Sequence, residues 1–172
     1  MGRPTIGMVW AQTPGGTIAR DGALPWDVPE DFAHFHATVR GHAVLVGRAT
    51  WDSMPPDLRP MPHSRSVVLT RDEAWSAPGA EVVGTLAEAL ALLADEPEVW
   101  VMGGGEVYAL ALEHADLLVV SEIDVPEPED GHLTPAPRLD PAQWHDVTPP
   151  DVAGWRTSTT GTRWRIVHHR RS

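Results

Sequence analysis

Five short runs of apolar residues recur along the chain, and polar or helix-forming segments separate them. The runs are TIGMVWAQ (5–12), AVLVG (43–47), SVVLT (66–70), EVWVM (98–102) and DLLVVSEI (116–123). Because several of them lack the polar alternation of a half-exposed strand, they are typical of strands that are covered on both faces. They predict a mainly parallel sheet flanked by helices, and therefore an α/β fold with a mixed sheet.

The segments between these runs carry helix and turn signals. TLAEALALLAD (85–95) opens with Thr85 and Glu88 in the spacing of a capping box, which predicts a helix that leads into the next strand. The late segment GWRTSTTGTRWRIVHHR (154–170) alternates around a Thr-Gly pair and predicts an antiparallel hairpin at the sheet edge.

Two stretches show no periodic pattern. The first, TPGGTIARDGALPW (13–26), is long and contains three glycines, so a mobile lid and a passive connection are both open interpretations. The second, DVPEPEDGHLTPAPRLDPAQ (124–143), has the composition of an ordinary surface loop. Neither stretch is predicted to form regular structure.

Composition limits what the chain can do. Its 172 residues, 42% of them hydrophobic, are enough for one compact domain, 1–172. No cysteine and no lysine occur, so disulfides, thiol nucleophiles, Schiff-base chemistry and a lysine-containing P-loop are excluded. The formal net charge of −11 disfavours nucleic acid and anionic membranes as partners. We expect a monomer, and, because no signal peptide or bilayer-length apolar run is present, a cytoplasmic one.

Two adjacent acids open a predicted helix. Pro29 suits the first helical position, so PEDFAHFHATV (29–39) is predicted as a helix that has Glu30 and Asp31 in its first turn. Acids at this position commonly stabilise a helix through its dipole. From this segment alone, catalysis and helix capping are equally good interpretations of the acids.

The apolar residues of this helix distinguish the two acids. Phe32, Phe35 and Val39 follow helical spacing and predict the buried stripe, and Asp31 lies on its margin, whereas Glu30 is expected towards solvent. A carboxyl walled by aromatic rings has a raised pKa, because burial disfavours the charged form. Asp31 is therefore the candidate for proton transfer near neutral pH.

Three segments place glycine, threonine or arginine directly after a predicted strand. They are VMGGGEVY (101–108), VGRATW (46–51) and LTRDE (69–73). Glycines let a ligand approach the backbone, and cationic and hydroxyl side chains at the carboxyl edge of a sheet favour phosphate. A tight strand-to-helix turn is the alternative for the glycines, and each polar residue alone is an ordinary surface residue.

Taken together, and in this order along nearly the whole chain, the motifs LPWDVPEDFAHF (24–35), LVGRATWDSM (45–54) and VWVMGGGEVY (99–108) resemble those of dihydrofolate reductase. The resemblance implies a three-layer α/β/α fold with a mostly parallel, eight-stranded mixed sheet flanked by helices. It also implies a cleft for NADPH and dihydrofolate, hydride transfer to C6 of the pterin, and protonation at N5.

The resemblance also assigns roles to residues. It implies that Asp31 holds the pterin and promotes protonation, that Trp26 positions a water beside it, and that residues 13–28 form a closing loop. The implied substrate-binding residues are Val9, Trp10, Ala11, Leu24, Asp31, Phe35, Met54, Leu58, Met61, Arg65, Met102, Tyr108 and Ser121. The implied cofactor-binding residues are Trp10, Ala11, Ile18, Gly22, Leu24, Gly47, Arg48, Ala49, Thr50, Leu69, Thr70, Arg71, Gly84, Met102, Gly103, Gly104, Gly105, Glu106, Val107 and Tyr108. The Gly103–Gly104 peptide is expected to be cis, and ordinary core packing is the alternative for any single apolar residue of these sets.

One departure from the family pattern concerns the substrate. The family carries an arginine shortly after the Arg-Pro turn that grips the glutamate tail, and in RPMPHSRS (59–66) Ser64 stands there. Adjacent side chains in an extended segment point to opposite faces, so Arg65 cannot be assumed to substitute. Arg59, His63 and Arg65 are the possible replacements. A smaller departure is Glu106, an acid beside the expected pyrophosphate.

Alternative interpretations remain from the sequence. One keeps the fold and NADPH but changes the substrate to a tail-less pterin or a related heterocycle, and another is a non-catalytic nucleotide-binding module. The basic end HHRR (168–171) is interpreted as a frayed terminus rather than a metal or anion site, and no metal site is predicted.

Overall fold

The structure is a computed structural model, and it describes residues 2–172. The strands are β1 Thr5–Gln12, β2 Thr17–Arg20, β3 Ala43–Gly47, β4 Ser66–Leu69, β5 Ala80–Val83, β6 Glu98–Val101, β7 Leu117–Ile123, β8 Leu133–Pro135, β9 Trp144–Asp146, β10 Arg156–Thr157 and β11 Arg163–Arg171. The helices are α1 Pro29–Val39, α2 Arg48–Ser53, α3 Leu86–Leu92 and α4 Gly105–Ala111, and 3-10 turns span Pro56–Leu58 and Leu112–His114.

One sheet contains nine strands. Eight lie in the order β10-β11-β7-β1-β6-β3-β4-β5, and β9 pairs with β11. The strands from β7 to β5 are parallel to their neighbours, whereas β11 runs antiparallel to β7 and to β10. The five apolar runs are the central strands, so the predicted α/β fold with a mixed, mostly parallel sheet is confirmed.

The sheet is buried on both faces, which explains why its central strands are apolar throughout. Met8 and Leu118 belong to one hydrophobic cluster, and Val9 and Val119 belong to the cluster on the opposite face. Successive residues of a strand point to opposite faces, so each strand needs apolar side chains at consecutive positions. Gly7 is required in β1 because a Cβ there would lie 2.5 Å from the indole ring of Trp100.

The predicted helices and hairpin form. The helix over 29–39 has the predicted bounds, and α3 begins after Thr85, whose hydroxyl accepts a hydrogen bond from the Glu88 N–H at 3.1 Å. The Glu88 carboxylate accepts from the Gly84 N–H, one residue before the partner expected in a capping box. The predicted hairpin is β10 and β11.

Three expectations about irregular segments were wrong. The stretches 13–26 and 124–143 contain β2 and β8, which pair with each other in a separate two-stranded sheet. The basic end 168–171 is not frayed, because β11 continues through it and pairs with both β7 and β9. Backbone pairing with distant strands fixes each of these segments, and local composition carries no signal of it. Along residues 2–172, the helices are too short or too polar to cross a bilayer.

Candidate active site

A cleft of about 850 Å³ opens at the carboxyl edge of the sheet. It begins at Trp10 and Ala11, near the end of β1, and it continues over Met102 and the glycines that follow β6. Because parallel strands bring all their carboxyl ends to one edge, segments that are remote in sequence meet here. Helix α1 and residues 18–28 close the other side.

Asp31 lies in the wall of the cleft with only 7% of its surface exposed. Its Oδ1 accepts a hydrogen bond from the hydroxyl of Ser121 on β7. Burial raises the pKa of the Asp31 carboxyl to about 6, and the hydrogen bond from Ser121 opposes part of that rise because it favours the charged form. A buried carboxyl with this pKa exchanges protons close to neutral pH.

The geometry of α1 separates the two interpretations of its acids. The N-cap residue is Val28, which supplies no side-chain cap, and Asp31 bonds to Ser121 rather than to a backbone N–H of the helix. Capping is therefore not the role of Asp31. Glu30 lies at the surface, as expected, but its carboxylate is not left to solvent alone, because it accepts hydrogen bonds from Ser158 Oγ at 2.6 Å and Thr159 N–H at 2.7 Å.

Apolar side chains form the outer walls of the cleft. Phe35, Met54, Leu58 and Met61 lie in this wall, as the resemblance implied. Phe32, predicted to belong to the buried stripe of α1, is instead 46% exposed and also lines the cleft. A flat aromatic ring in the cleft would contact these apolar side chains. An apolar lining of this kind is usual for a small-molecule site.

Tyr108 and Trp10 fix the floor where β1 ends. The Tyr108 hydroxyl donates to the carbonyl of Val9 at 2.6 Å, and the Tyr108 and Trp10 rings lie 5.4 Å apart between centroids. Burial raises the pKa of Tyr108, so the phenol stays protonated. Val9 itself points into the core, so only its carbonyl takes part in the site.

Glycines at the end of β3 and after β6 bring two backbones into close approach. The Gly47 N–H donates to the Gly103 carbonyl at 2.7 Å, and the Gly103–Gly104 peptide is cis, as predicted. A Cβ on Gly104 would lie 3.0 Å from Thr50 Oγ1. Side chains at these positions would fill the space above the backbone, so the segment forms the kind of cradle that a pyrophosphate group requires.

Polar side chains surround this cradle at the ends of β3 and β4. Arg48 begins α2, and its guanidinium pairs with Asp72 at 3.1 Å and stacks over Trp75. Arg71, two residues after β4, is exposed. Guanidinium groups at the carboxyl edge of the sheet, together with the glycine cradle, fit a phosphorylated dinucleotide such as NADPH.

Arg65 is not brought to the cleft. Its guanidinium bonds Glu81 at 2.5 and 2.8 Å and Glu96 at 3.0 Å. Ser64 does not face the cleft either, because its hydroxyl donates to the Val39 carbonyl at 3.1 Å. The geometry gives Arg65 no role in contacting substrate, and neighbouring acids account for its orientation.

The start of the segment 13–28 is attached to the loop that follows β7, the strand next to β1 in the sheet. The Glu127 carboxylate accepts hydrogen bonds from the hydroxyl of Thr13, from the Gly15 N–H at 3.1 Å and from Thr17 Oγ1 at 3.3 Å. These three donors belong to residues 13–17, at the start of the segment. The contacts hold the first part of the segment in place over the end of β1.

The structure places most of the implied site residues around the cleft. Those that line it are Trp10, Ala11, Ile18, Gly22, Leu24, Trp26, Asp31, Phe35, Ala49, Thr50, Met54, Leu58, Met61, Met102, Gly103, Gly104, Gly105 and Tyr108. Those that do not line it are Val9, Gly47, Arg48, Arg65, Leu69, Thr70, Arg71, Gly84, Glu106, Val107 and Ser121. Of these, Ser121 acts on the site through Asp31, and Gly47 through Gly103.

Several cleft residues were missed from the sequence. They include Phe32, His36, Ser53, Pro55 and Thr134. Phe32 and His36 are four residues apart on α1, and their rings lie 4.2 Å apart. Their i, i+4 spacing next to Asp31 was the available signal. Thr134 reaches the cleft through the β2–β8 pairing, for which the sequence carries no local signal.

Comparisons with known proteins agree with this geometry. The profile of the dihydrofolate reductase family matches residues 5–161. The chain is 46% identical to the dihydrofolate reductase of Mycobacterium tuberculosis over 167 residues, which cover 97% of this chain and 98% of the relative. It is 36% identical to the enzyme of Neisseria meningitidis over 90% of both chains.

A solved structure gives the same result for the fold. The dihydrofolate reductase of Enterococcus faecalis, complexed with NADP(H) and RAB-propyl, superposes with a TM-score of 0.83 at 26% identity and covers 99% of this chain and 98% of its own. The chain belongs to the dihydrofolate reductase family, whose members reduce dihydrofolate to tetrahydrofolate with NADPH.

Proposed function

We propose that Asp31 is the residue through which this chain supplies the proton for dihydrofolate reduction. The observation that carries the proposal is a carboxyl in the cleft wall, 7% exposed, whose pKa burial raises to about 6. At this pKa the group is partly protonated near neutral pH, so it both binds the polar edge of a pterin and promotes protonation at N5.

The other cleft residues orient the reactants. Apolar walls at Phe35, Met54 and Leu58 hold a flat ring system against Asp31, and the glycine cradle at 103–105 receives the phosphate end of the cofactor. When bound, NADPH supplies the hydride for C6. Trp26 lines the cleft five residues before Asp31 and, by family resemblance, orients the water that relays the proton.

Residues 13–28 act in this proposal as the lid of the cleft. Ile18, Gly22 and Leu24 line the space next to the glycine cradle, and the side chain of Leu24 is 55% exposed. Closure of this segment over bound ligands would bury Leu24 and exclude water from the hydride-transfer step.

Dihydrofolate is favoured over a tail-less pterin as the substrate. The relatives at 36–46% identity over 90% or more of the chain are named dihydrofolate reductases, and this outweighs the missing tail arginine, which Arg65 does not replace in the cleft. The acid in the cleft wall and the complete glycine cradle likewise favour a catalytic protein over a non-catalytic nucleotide-binding module.

The proposal also covers the oligomeric state, the location and the partners of the protein. We infer a single-domain monomer in the cytoplasm that does not bind nucleic acid, supported by the formal net charge of −11. A cationic heterocycle that pairs with Asp31 would block the cleft, which makes the protein an antifolate target. Light scattering after gel filtration tests the monomer, and a dimer mass would contradict it.

The proposal is tested by initial rates of NADPH oxidation with dihydrofolate for the wild type and Asp31→Asn. The Asp31→Asn variant is expected to keep NADPH affinity but lose most activity at neutral pH, with a residual rate that rises towards acid pH as the substrate itself becomes protonated. Asp95→Asn, at an exposed position beyond α3, is the matched control and should retain the wild-type rate. Wild-type activity of Asp31→Asn at pH 7 would contradict the assignment.

A further inference from the structure

Glu30, the residue before Asp31, is bound to a turn from the far end of the chain. Its Oε1 accepts from Ser158 Oγ at 2.6 Å, and its Oε2 accepts from the Thr159 N–H at 2.7 Å. Ser158 is 5% exposed and its own N–H donates to the Thr162 carbonyl, which closes the turn between β10 and β11. The donors that surround its carboxylate lower the pKa of Glu30, so the group is charged at neutral pH.

The same hairpin also reaches Asp31 by a second route. Ser121, the donor to Asp31, is paired across the sheet with Ile166 of β11. The hairpin thus contacts two adjacent residues of the first turn of α1, Glu30 directly and Asp31 through Ser121. Two attachments at successive residues restrict both the rotation and the translation of that turn.

The start of α1 has few other restraints along the described residues. The N-cap position is Val28, which makes no side-chain cap, and Pro29 has no N–H to donate. One further contact comes from the same turn, because the Thr160 hydroxyl donates to the Asp27 carbonyl at 2.6 Å. A helix start without a cap is held mainly by packing, and a carboxylate with two charge-assisted hydrogen bonds adds a directional restraint.

We propose that Glu30 is a positioning residue for the reaction, which keeps the first turn of α1 against the β10–β11 hairpin and so keeps the Asp31 carboxyl buried and aligned with Ser121. The proposal rests on the function assigned to Asp31 above. Glu30 itself touches neither the cleft nor the reacting atoms, because its carboxylate is directed to the hairpin turn.

The property that Glu30 controls is measurable as a pKa. Desolvation is the larger influence on the Asp31 carboxyl and Ser121 the other, and no charged side chain contributes noticeably. If the helix start loosens, water reaches Asp31 and its bond with Ser121 weakens. The lost burial lowers the pKa and the weaker bond raises it, and because burial is the larger influence the pKa falls towards the ordinary value of an aspartate. At pH 7 fewer molecules are then protonated, so hydride transfer slows while the cofactor site is unaffected.

The test compares two variants with a matched control. Glu30→Gln removes the charge and one acceptor, whereas Ser158→Ala removes a donor but leaves Glu30 charged. Asp146→Asn is the control, because Asp146 also accepts one hydroxyl and one backbone N–H, from Thr148 at 2.6 and 2.9 Å, and lies outside the cleft. The hydride-transfer rate is measured from pH 5 to 9 in single-turnover experiments, together with the KM for each substrate.

Both test variants are expected to lower the apparent pKa of the rate by about 0.5–1 unit, which is a rate loss of roughly 3–10-fold at pH 7. The KM for NADPH should be unchanged, and Asp146→Asn should keep the wild-type profile. A shift of the apparent pKa in Glu30→Gln but not in Ser158→Ala would mean that the charge of Glu30 acts directly, and would overturn the positioning role. Equal pKa shifts in all three variants, or no shift in any of them, would also overturn it. Asp31→Asn in the same assay tests the proposed function separately. If this variant reacts at the rate of the wild type, the role of Asp31 is contradicted, whereas the outcomes for Glu30 and Ser158 leave that role intact.

Discussion

Removal of the Ser121 hydroxyl is the sharpest test of how the environment of Asp31 sets the pH dependence of the reaction. Ser121 Oγ donates to the Asp31 carboxyl, whose pKa is about 6. A hydrogen bond to a charged group contributes about 1.5–3 kcal/mol, and one pKa unit corresponds to about 1.4 kcal/mol. Ser121→Ala should therefore raise the pKa of Asp31 by about one to two units.

The consequence is a change in the protonated fraction at neutral pH. At pH 7, a group with a pKa of about 6 is protonated in roughly 10% of molecules. After a rise of one to two units the protonated fraction would be about 50–90%. If the protonated acid limits the rate, hydride transfer at pH 7 speeds up by about 5–10-fold, and the plateau at acid pH is unchanged.

The assay is single-turnover hydride transfer, followed by NADPH fluorescence or absorbance between pH 5 and 9. Ser121→Thr keeps the hydroxyl and is the matched control, with an expected profile like that of the wild type. An apparent pKa that stays constant or falls in Ser121→Ala would refute the reasoning, because it would mean that Asp31 does not set the profile or that Ser121 does not favour its charged form.

Three further outcomes follow from contacts in the structure. Asp31→Asn should raise the free energy of unfolding at pH 7 by about 1–3 kcal/mol in denaturant titrations. The folded pKa of Asp31, about 6, exceeds its unfolded value, so in the wild type this carboxyl destabilises the protein as the pH rises from about 4 to 6, and Asn removes that cost. An unchanged free energy of unfolding would contradict the burial effect. Arg65→Ala should leave the KM for dihydrofolate unchanged, since Glu81 and Glu96 already bind the guanidinium, and a several-fold increase would return Arg65 to the substrate site. Glu127→Gln should weaken the attachment of residues 13–17, which lowers the rate of hydride transfer but leaves the melting temperature nearly unchanged. Equal rates of hydride transfer in Glu127→Gln and the wild type would exclude a role in closure.

The central strands could be predicted from sequence because burial on both faces leaves a local signature. A strand such as AVLVG (43–47) must present apolar side chains to two hydrophobic clusters, and only a continuous apolar run does this. The pairing of β2 with β8 left no such signature, because the 4-residue and 3-residue strands are held by partners more than 110 residues apart. Long-range pairing of short polar strands is decided by the rest of the fold.

The two acids of α1 show the same division within one helical turn. Asp31 was identifiable because its own neighbours in the helix, Phe35 among them, predict its burial. The contacts of Glu30 were not, because its donors Ser158 and Thr159 lie more than 125 residues away in a turn whose position depends on the whole sheet. Phe32 was misplaced for a related reason: helical spacing identifies an apolar face, but it does not distinguish a core from an open cleft.

Asp31 therefore occupies a position where stability and function oppose each other. Its burial raises its pKa and so supplies a proton near neutral pH, but the same burial disfavours the carboxylate that predominates at pH 7. Ser121 offsets part of that cost with one hydrogen bond, and the turn held by Glu30 keeps the carboxyl where the bond can form. More donors would stabilise the protein further but would lower the pKa out of the useful range. A single hydroxyl is thus a compromise between keeping the acid folded into the cleft and keeping it protonated.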